Sequence, residues 1–300
     1  MTFCKIVVRE AKTLYTTDVI NDSLAKKLLI IDSLLVNASP IDQPAALSYA
    51  KALVQLFKDL PPKQEHLNYA TSLSRLANFF LNIRQYENAL PLYQQALAIK
   101  KKGLGEENPN YSESLNDLAD LYRRWGLYGK ALPFYKEVLA FKKKTLGEVH
   151  PSYANSLDDL SVAYWRTGQY DKALPLYKQA LAIRGKALGE DSHEYVLNLK
   201  VLAKLYTMMG QYEKALSLYQ QCVAIGKKAL GEEHSDSASI LYASILNNLA
   251  NLYKKMGQYE KALPLYQQAL ALRKKVPGEE HYYSYSLNFH GWYIHGNGSV

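Results

Sequence analysis

Residues 169–186 read QYDKALPLYKQALAIRGK, and residues 258–275 read QYEKALPLYQQALALRKK. Of these 18 positions 14 are identical, which chance cannot produce within a chain of 300 residues. Internal repetition of this kind governs the reading of every local motif. Aligned on the string YxKALPLY, the chain falls into units of 42 residues at 69–110, 111–152, 153–194 and 195–236. Five extra residues, Ser237 to Leu241, precede a fifth unit at 242–283.

Each unit reads as two helices. In the second unit SESLNDLADLYRRW sets Leu115, Leu118, Ala119 and Tyr122 three and four residues apart, on one helical face. A turn is expected at Gly126, Gly168, Gly210 and Gly257, where glycine can adopt the left-handed conformation that ends a helix. Arg84 holds this place in the first unit. The second helix, QYDKALPLYKQALAIRGKAL, carries Ala173, Leu176, Tyr177, Ala180, Leu181 and Ile183 on its buried side. The loop GEExHP closes the unit, with Pro109 and Pro151 barring further helix. Pro91, Pro133, Pro175 and Pro264 recur at one position early in the second helix, with Ser217 there in the fourth unit. Repetition at a fixed place reads as a tolerated mild kink rather than a break.

Composition narrows the function classes. Hydrophobic residues make up 48% and charged residues 21%, as in folded soluble proteins. No apolar run approaches the roughly 18 residues of a membrane span. Near the N-terminus Arg9, Glu10 and Lys12 stand where a signal peptide needs an apolar core. Two cysteines, Cys4 and Cys222, exclude a disulfide framework and a thiolate metal site. The expected compartment is the cytoplasm, with delivery into a host cell left open.

The Leu and Ala of the first helix, the Gly-x-Tyr turn, and the Ala, Tyr and Ala of the second resemble the tetratricopeptide repeat. That family's usual period is about 34 residues. The longer period here, with ILNNLANLY at 245–253 and LGEEH at 230–234, is similar to the kinesin light chain type, and to its bacterial arrays above all. The resemblance covers residues 69–283 and implies an all-α fold, a right-handed α–α superhelix of stacked helix pairs. It also implies a concave face, lined by first helices, that binds peptide segments. Residues 1–68 are expected to form a helical N-terminal cap with a degenerate repeat, since an array must cover its first apolar face. Residues 284–300 read as a partial repeat helix and a frayed tail, with Trp292 and Tyr293 packed on the last unit.

Other chemistries fit poorly. His66, His150, His234 and His281 recur once per unit, with His193 displaced by one. Ligands of one metal ion must instead converge. Of 25 tyrosines, 19 hold four fixed positions, as Tyr153, Tyr164, Tyr170 and Tyr177 do in the third unit. That spacing tracks helix packing rather than stacking platforms for nucleic acid. Cys222 takes the place of Ala96, Ala180 and Ala269, a small core position. Basic runs at Lys100–Lys102, Lys142–Lys144, Lys227–Lys228 and Arg273–Lys275 end helices and are read as solvated caps. No phosphate-binding loop, serine-nucleophile motif or HExxH is present. No catalytic residue, metal or cofactor is expected.

Exposed positions of the first helices are the third, sixth, tenth, thirteenth and fourteenth of each unit. They place Asn78, Asn116, Asp120, Arg124, Asn155, Asp158, Trp165, Arg166, Lys200, Lys204, Asn247, Asn251 and Lys254 on the binding face. One asparagine amide can both donate to and accept from a peptide backbone. Trp165 beside Arg166 is the expected anchor, because aromatic and arginine side chains dominate interface energetics. Acids in the second and third units give way to lysines from the fourth, which suits a ligand whose acidic segment lies toward the C-terminal half. The expected function is a scaffold for a peptide or protein ligand. Alternatives are a nucleic-acid-binding solenoid using the basic edge and a regulatory module for an enzyme on another chain. Self-association through terminal repeats stays open.

Overall fold

First helices begin in this chain where a polar side chain precedes an amphipathic run. The computed structural model describes residues 66–233 and 235–276. Ten helices run through them: α1 (His66–Asn82), α2 (Tyr86–Leu104), α3 (Pro109–Arg124), α4 (Tyr128–Leu146) and α5 (Pro151–Arg166), then α6 (Tyr170–Leu188), α7 (His193–Met208), α8 (Tyr212–Glu233), α9 (Asp236–Lys255) and α10 (Tyr259–Arg273). Among the described residues there is no strand, and no helix is long and apolar enough to cross a membrane. The N-terminal cap, the tail with Trp292 and Tyr293, Cys4, His234 and His281 lie outside the described residues.

Side chains cap the starts of first helices, whereas Gln85, Gln169 and Gln258 before α2, α6 and α10 make no such bond. Asn108 Oδ1 accepts from the Asn110 N–H at 2.9 Å, and His150 Nδ1 from the Ser152 N–H at 3.1 Å. Ser192 and Ser235 do the same for α7 and α9. His150 therefore works as a helix cap. Pro109 and Pro151 open α3 and α5 at the first turn, where a missing N–H costs nothing. The first helices thus start a few residues before the repeat register suggests.

The recurrent prolines sit inside α2, α4, α6 and α10. All four are exposed, as are Glu87, Gly129, Asp171 and Glu260 four residues before them. The carbonyls that lose an N–H partner therefore face water, which replaces the bond. The insertion Ser237–Leu241 is helical: α9 has 20 residues against 16 in α7. In the fourth unit α8 also runs on through Gly231 to Glu233, whereas Gly105, Gly147 and Gly189 end their helices at φ 81°, 80° and 87°.

Two compact units divide the chain at Phe141 and Lys142, within α4. In the first, α1 packs on α2, α2 on α3, and α1 also touches α3. Ala70, Leu73 and Ala96 form one core cluster, and Tyr111, Leu115 and Val138 another. In the second, each helix from α5 to α10 packs on the next, and α7 touches α9. Val196, Leu199, Cys222, Leu241 and Ile245 join α7, α8 and α9, while Ala250, Ala262 and Tyr266 join α9 to α10. Ala89, Ala131, Ala173, Ala215 and Ala262 share one repeat position and are all 0% exposed, so a larger side chain there would push the paired helices apart.

Candidate functional site

First helices of neighbouring pairs touch in both units, α1 with α3 and α7 with α9. In the first unit Asn78 is exposed on α1, and the Tyr93 hydroxyl from α2 donates to its Oδ1 at 2.6 Å. In the second unit the Tyr266 hydroxyl donates to the Oδ1 of exposed Asn251 at 2.7 Å. Both amides are thereby held at the oxygen, on residues that are exposed. The same tyrosine position in the third repeat is Tyr177, but Val162 stands opposite it. The Tyr177 hydroxyl is buried without a partner.

The remaining expected residues of the first unit form an acidic and basic cluster. Asp120 holds Arg123 and, at 2.9 Å, Arg124 on its own helix. Arg124 also reaches Asn82 Oδ1 at 3.5 Å. Asn116 is half-buried between them and Asp117. Burial pushes the Asp117 carboxyl up to about 6, with Glu113 and Asp120 adding to the rise and Lys100 opposing it. Asp117 was not among the expected residues, although aspartate at 117 and 159, one repeat apart, marks the position.

In the second unit several expected contacts are already made internally. Arg184 is 6% exposed and donates to Asp158 Oδ2 and Asn155 Oδ1, each at 2.7 Å. Asn198 Nδ2 donates to Asp158 Oδ1 at 2.7 Å. Burial raises the Asp158 carboxyl above its ordinary range, although Arg184 and Asn198 pull it back. Exposed Asn155 and half-buried Asp158 thus join a network with buried Arg184 and Asn198 that ties α5 to α6 and α7. Trp165 is half-buried and its Nε1 donates to Met208 Sδ at 2.9 Å. The Lys204 ammonium lies 5.0 Å from its ring centroid, and the Arg166 guanidinium 5.8 Å. Lys200 donates to Ser244 Oγ at 2.9 Å, linking α7 to α9. Asn247 Oδ1 is buried without a partner, and Lys254 is exposed.

The basic runs are not wholly solvated. Lys100 and Arg273, the first members of their runs, are each 8% exposed, and Lys142 is half-buried, donating to the Ser152 carbonyl at 3.3 Å. Their aliphatic stems extend inward along the packed face. The outer members pair across the following loop, Lys101 with Glu106 and Lys143 with Glu148, and Lys228 pairs with Asp191 at 2.7 Å. Burial pushes the Cys222 thiol up to about 12, which leaves it protonated and inert.

A family model for the tetratricopeptide repeat matches residues 68–144, 142–186, 174–228 and 241–295. A solved kinesin light chain-type protein of nearly identical repeats from Podosopora anserina is 31% identical, covering 72% of this chain and 100% of its own, with a TM-score of 0.62. BtubC (BKLC) of P. vanneervenii is 21% identical over 83% of this chain and 92% of its own, at TM-score 0.61. NprR, solved in complex with its cognate peptide NprX, is 15% identical over 99% of this chain and 81% of its own, at TM-score 0.55. No match was found among curated proteins.

Proposed function

Because this chain belongs to the tetratricopeptide repeat family, in its kinesin light chain type, we propose that it is a protein-interaction scaffold that holds an extended peptide segment against its first helices. The observation that carries the reading is the pair of tyrosine-tethered asparagines. With its oxygen held by a tyrosine, the amide of an exposed asparagine has its NH2 left to donate to a ligand. A bound extended segment presents backbone carbonyls in need of such donors. NprR, which is similar in fold, was solved in complex with its cognate peptide NprX. In the second unit Trp165 supplies an aromatic anchor, and Lys200, Lys204 and Lys254 favour an acidic stretch of ligand. The scaffold acts in the cytoplasm and has no catalytic activity of its own.

Affinity capture with the full chain as bait, followed by mass spectrometry, tests this when repeated with variants. Asn251→Ala and Asn78→Ala should each weaken the captured partner by about 1 kcal/mol, the usual net worth of one hydrogen bond, without loss of helicity. Trp165→Ala should weaken it most, as expected of a central anchor. The edge control is Lys143→Glu with Lys144→Glu, because Lys142 is turned inward. Loss of the partner in the edge variant, with the groove variants still binding, would overturn the proposal.

A further inference from the structure

Buried cations in the second unit have an acid beside them until the fourth repeat. Arg184 pairs with Asp158 at 2.7 Å, and Lys142 lies near Asp159. One repeat later the register changes sign: Lys200 stands where Asp158 stood, and Val201 where Asp159 stood. The cation that would follow Arg184 is replaced by Gly226. A Cβ there would come within 3.0 Å of Tyr242 and 3.1 Å of Ile245. Lys200 is therefore not one half of a displaced ion pair.

Its environment is cationic. The half-buried ammonium donates to a neutral hydroxyl, Ser244 Oγ, and has no ion-pair partner among the described residues. Lys204 lies one turn further on the same face, against the Trp165 ring, also without an ion pair among the described residues. Burial lowers the Lys200 ammonium's affinity for its proton, Cys222 opposes this, and Lys204 and buried Arg273 push the same way as burial. Beyond their first turns, α7 and α9 contain no aspartate or glutamate. Like charges four residues apart destabilise a helix, and the contacts with Ser244 and Trp165 leave both positive charges without a negative counterpart among the described residues.

We propose that Lys200 and Lys204, with Ser244 orienting the first, seat a phosphoryl group carried by the peptide that occupies the groove, an inference that rests on the groove reading above. A phosphoryl group carries close to two negative charges near neutral pH, matching two unpaired ammoniums. A single carboxylate would leave one of them uncompensated. Lysine suits phosphate as a point charge with rotatable donors. The half-buried Trp165 ring borders the seat at Lys204, 5.0 Å from its ammonium, and apolar surface beside a charge pair strengthens it.

Calorimetric titration of the full chain with O-phosphoserine, serine, glutamate and inorganic phosphate, at constant ionic strength, tests the seat. O-phosphoserine should bind, serine should not, and glutamate should bind at least tenfold more weakly. Lys200→Met and Lys204→Met should each weaken O-phosphoserine at least tenfold, while the Lys143→Glu, Lys144→Glu control keeps wild-type affinity. Circular dichroism checks that each variant remains folded, and either lysine variant suffices should the other fail. Equal binding of glutamate, or unchanged affinity in a folded lysine variant, overturns the proposal. Inorganic phosphate binding as tightly as O-phosphoserine overturns the peptide-borne source. The two readings separate cleanly. Failure here with partner capture still sensitive to Asn251→Ala removes the phosphoryl seat alone. O-phosphoserine binding with capture indifferent to Asn251→Ala removes the groove reading instead.

Discussion

One hydroxyl on one repeat position meets an asparagine, a threonine or no partner at all in different repeats, and its worth changes accordingly. Tyr266 donates to Asn251, whereas Tyr177 faces Val162 and is left buried without a partner. Tyr266→Phe should therefore cost about 1 kcal/mol and release the Asn251 amide. Tyr177→Phe should cost nothing or stabilise, since it removes an unsatisfied buried group. Paired denaturant melts of the two variants check this, and equal losses would refute it. A third hydroxyl, on Tyr219, is bound by Thr207. Asp117 invites a pH measurement. Its folded value of about 6 lies above the ordinary 3.8, so the native state keeps a proton that the unfolded chain releases. Stability from this group is fully present below about pH 3.8 and is lost as pH rises through about 6. Asp117→Asn should be relatively more stable than the wild type at pH 7 than at pH 4. Parallel curves of melting temperature against pH would show that its carboxyl is not raised.

At the scale of the helix, the turn between paired helices sets where each one stops. Gly126 has φ 81°, and the Leu127 N–H closes the turn on the Tyr122 carbonyl at 2.8 Å. Arg84 makes the same turn at φ 60°, with the Gln85 N–H on the Phe80 carbonyl at 2.8 Å. The left-handed conformation costs a residue with a Cβ roughly 1–2 kcal/mol. Glycine returns part of that gain through the greater entropy of its unfolded chain. Arg84→Gly should thus stabilise by about 0.5–1 kcal/mol, and Gly126→Ala should destabilise by about 1 kcal/mol. Chemical denaturation reads both, and a destabilising Arg84→Gly would show that the arginine makes a compensating contact. A second recurrent device fixes the start of the second helix: Lys172, Lys214 and Lys261 each place an ammonium 5.6 Å from the ring of Tyr164, Tyr206 and Tyr253. The lysine of the KAL string is thus a packing residue as well as a charged one.

Across the molecule a net charge of +8 suggests a polyanion partner, but its distribution argues otherwise. Lys101, Lys143 and Lys228 on the exposed edge pair with acids of the adjoining loops, and Lys100 and Arg273 are buried. Binding to a mixed-sequence oligonucleotide should be weak at low salt and vanish toward 0.15 M, as counterion release requires. Sub-micromolar, sequence-selective retention at that salt would favour the nucleic-acid reading. The helix pairs, the small alanines between them and the glycine turns were legible in the sequence by itself. Periodicity and turn chemistry are local, and each was written several times over. Exposure of the tyrosine-bound asparagines was legible too. Their orientation was not, because Tyr93 and Tyr266 reach them from the paired helix, 15 residues away. Nor could spacing reveal that Arg184 claims Asn155 and Asp158, or that Lys100 and Arg273 are buried. A repeat register states which face a residue occupies. The partner it finds there depends on a side chain from another helix, and only the tertiary structure, where packing leaves each charge one place to go, decided that.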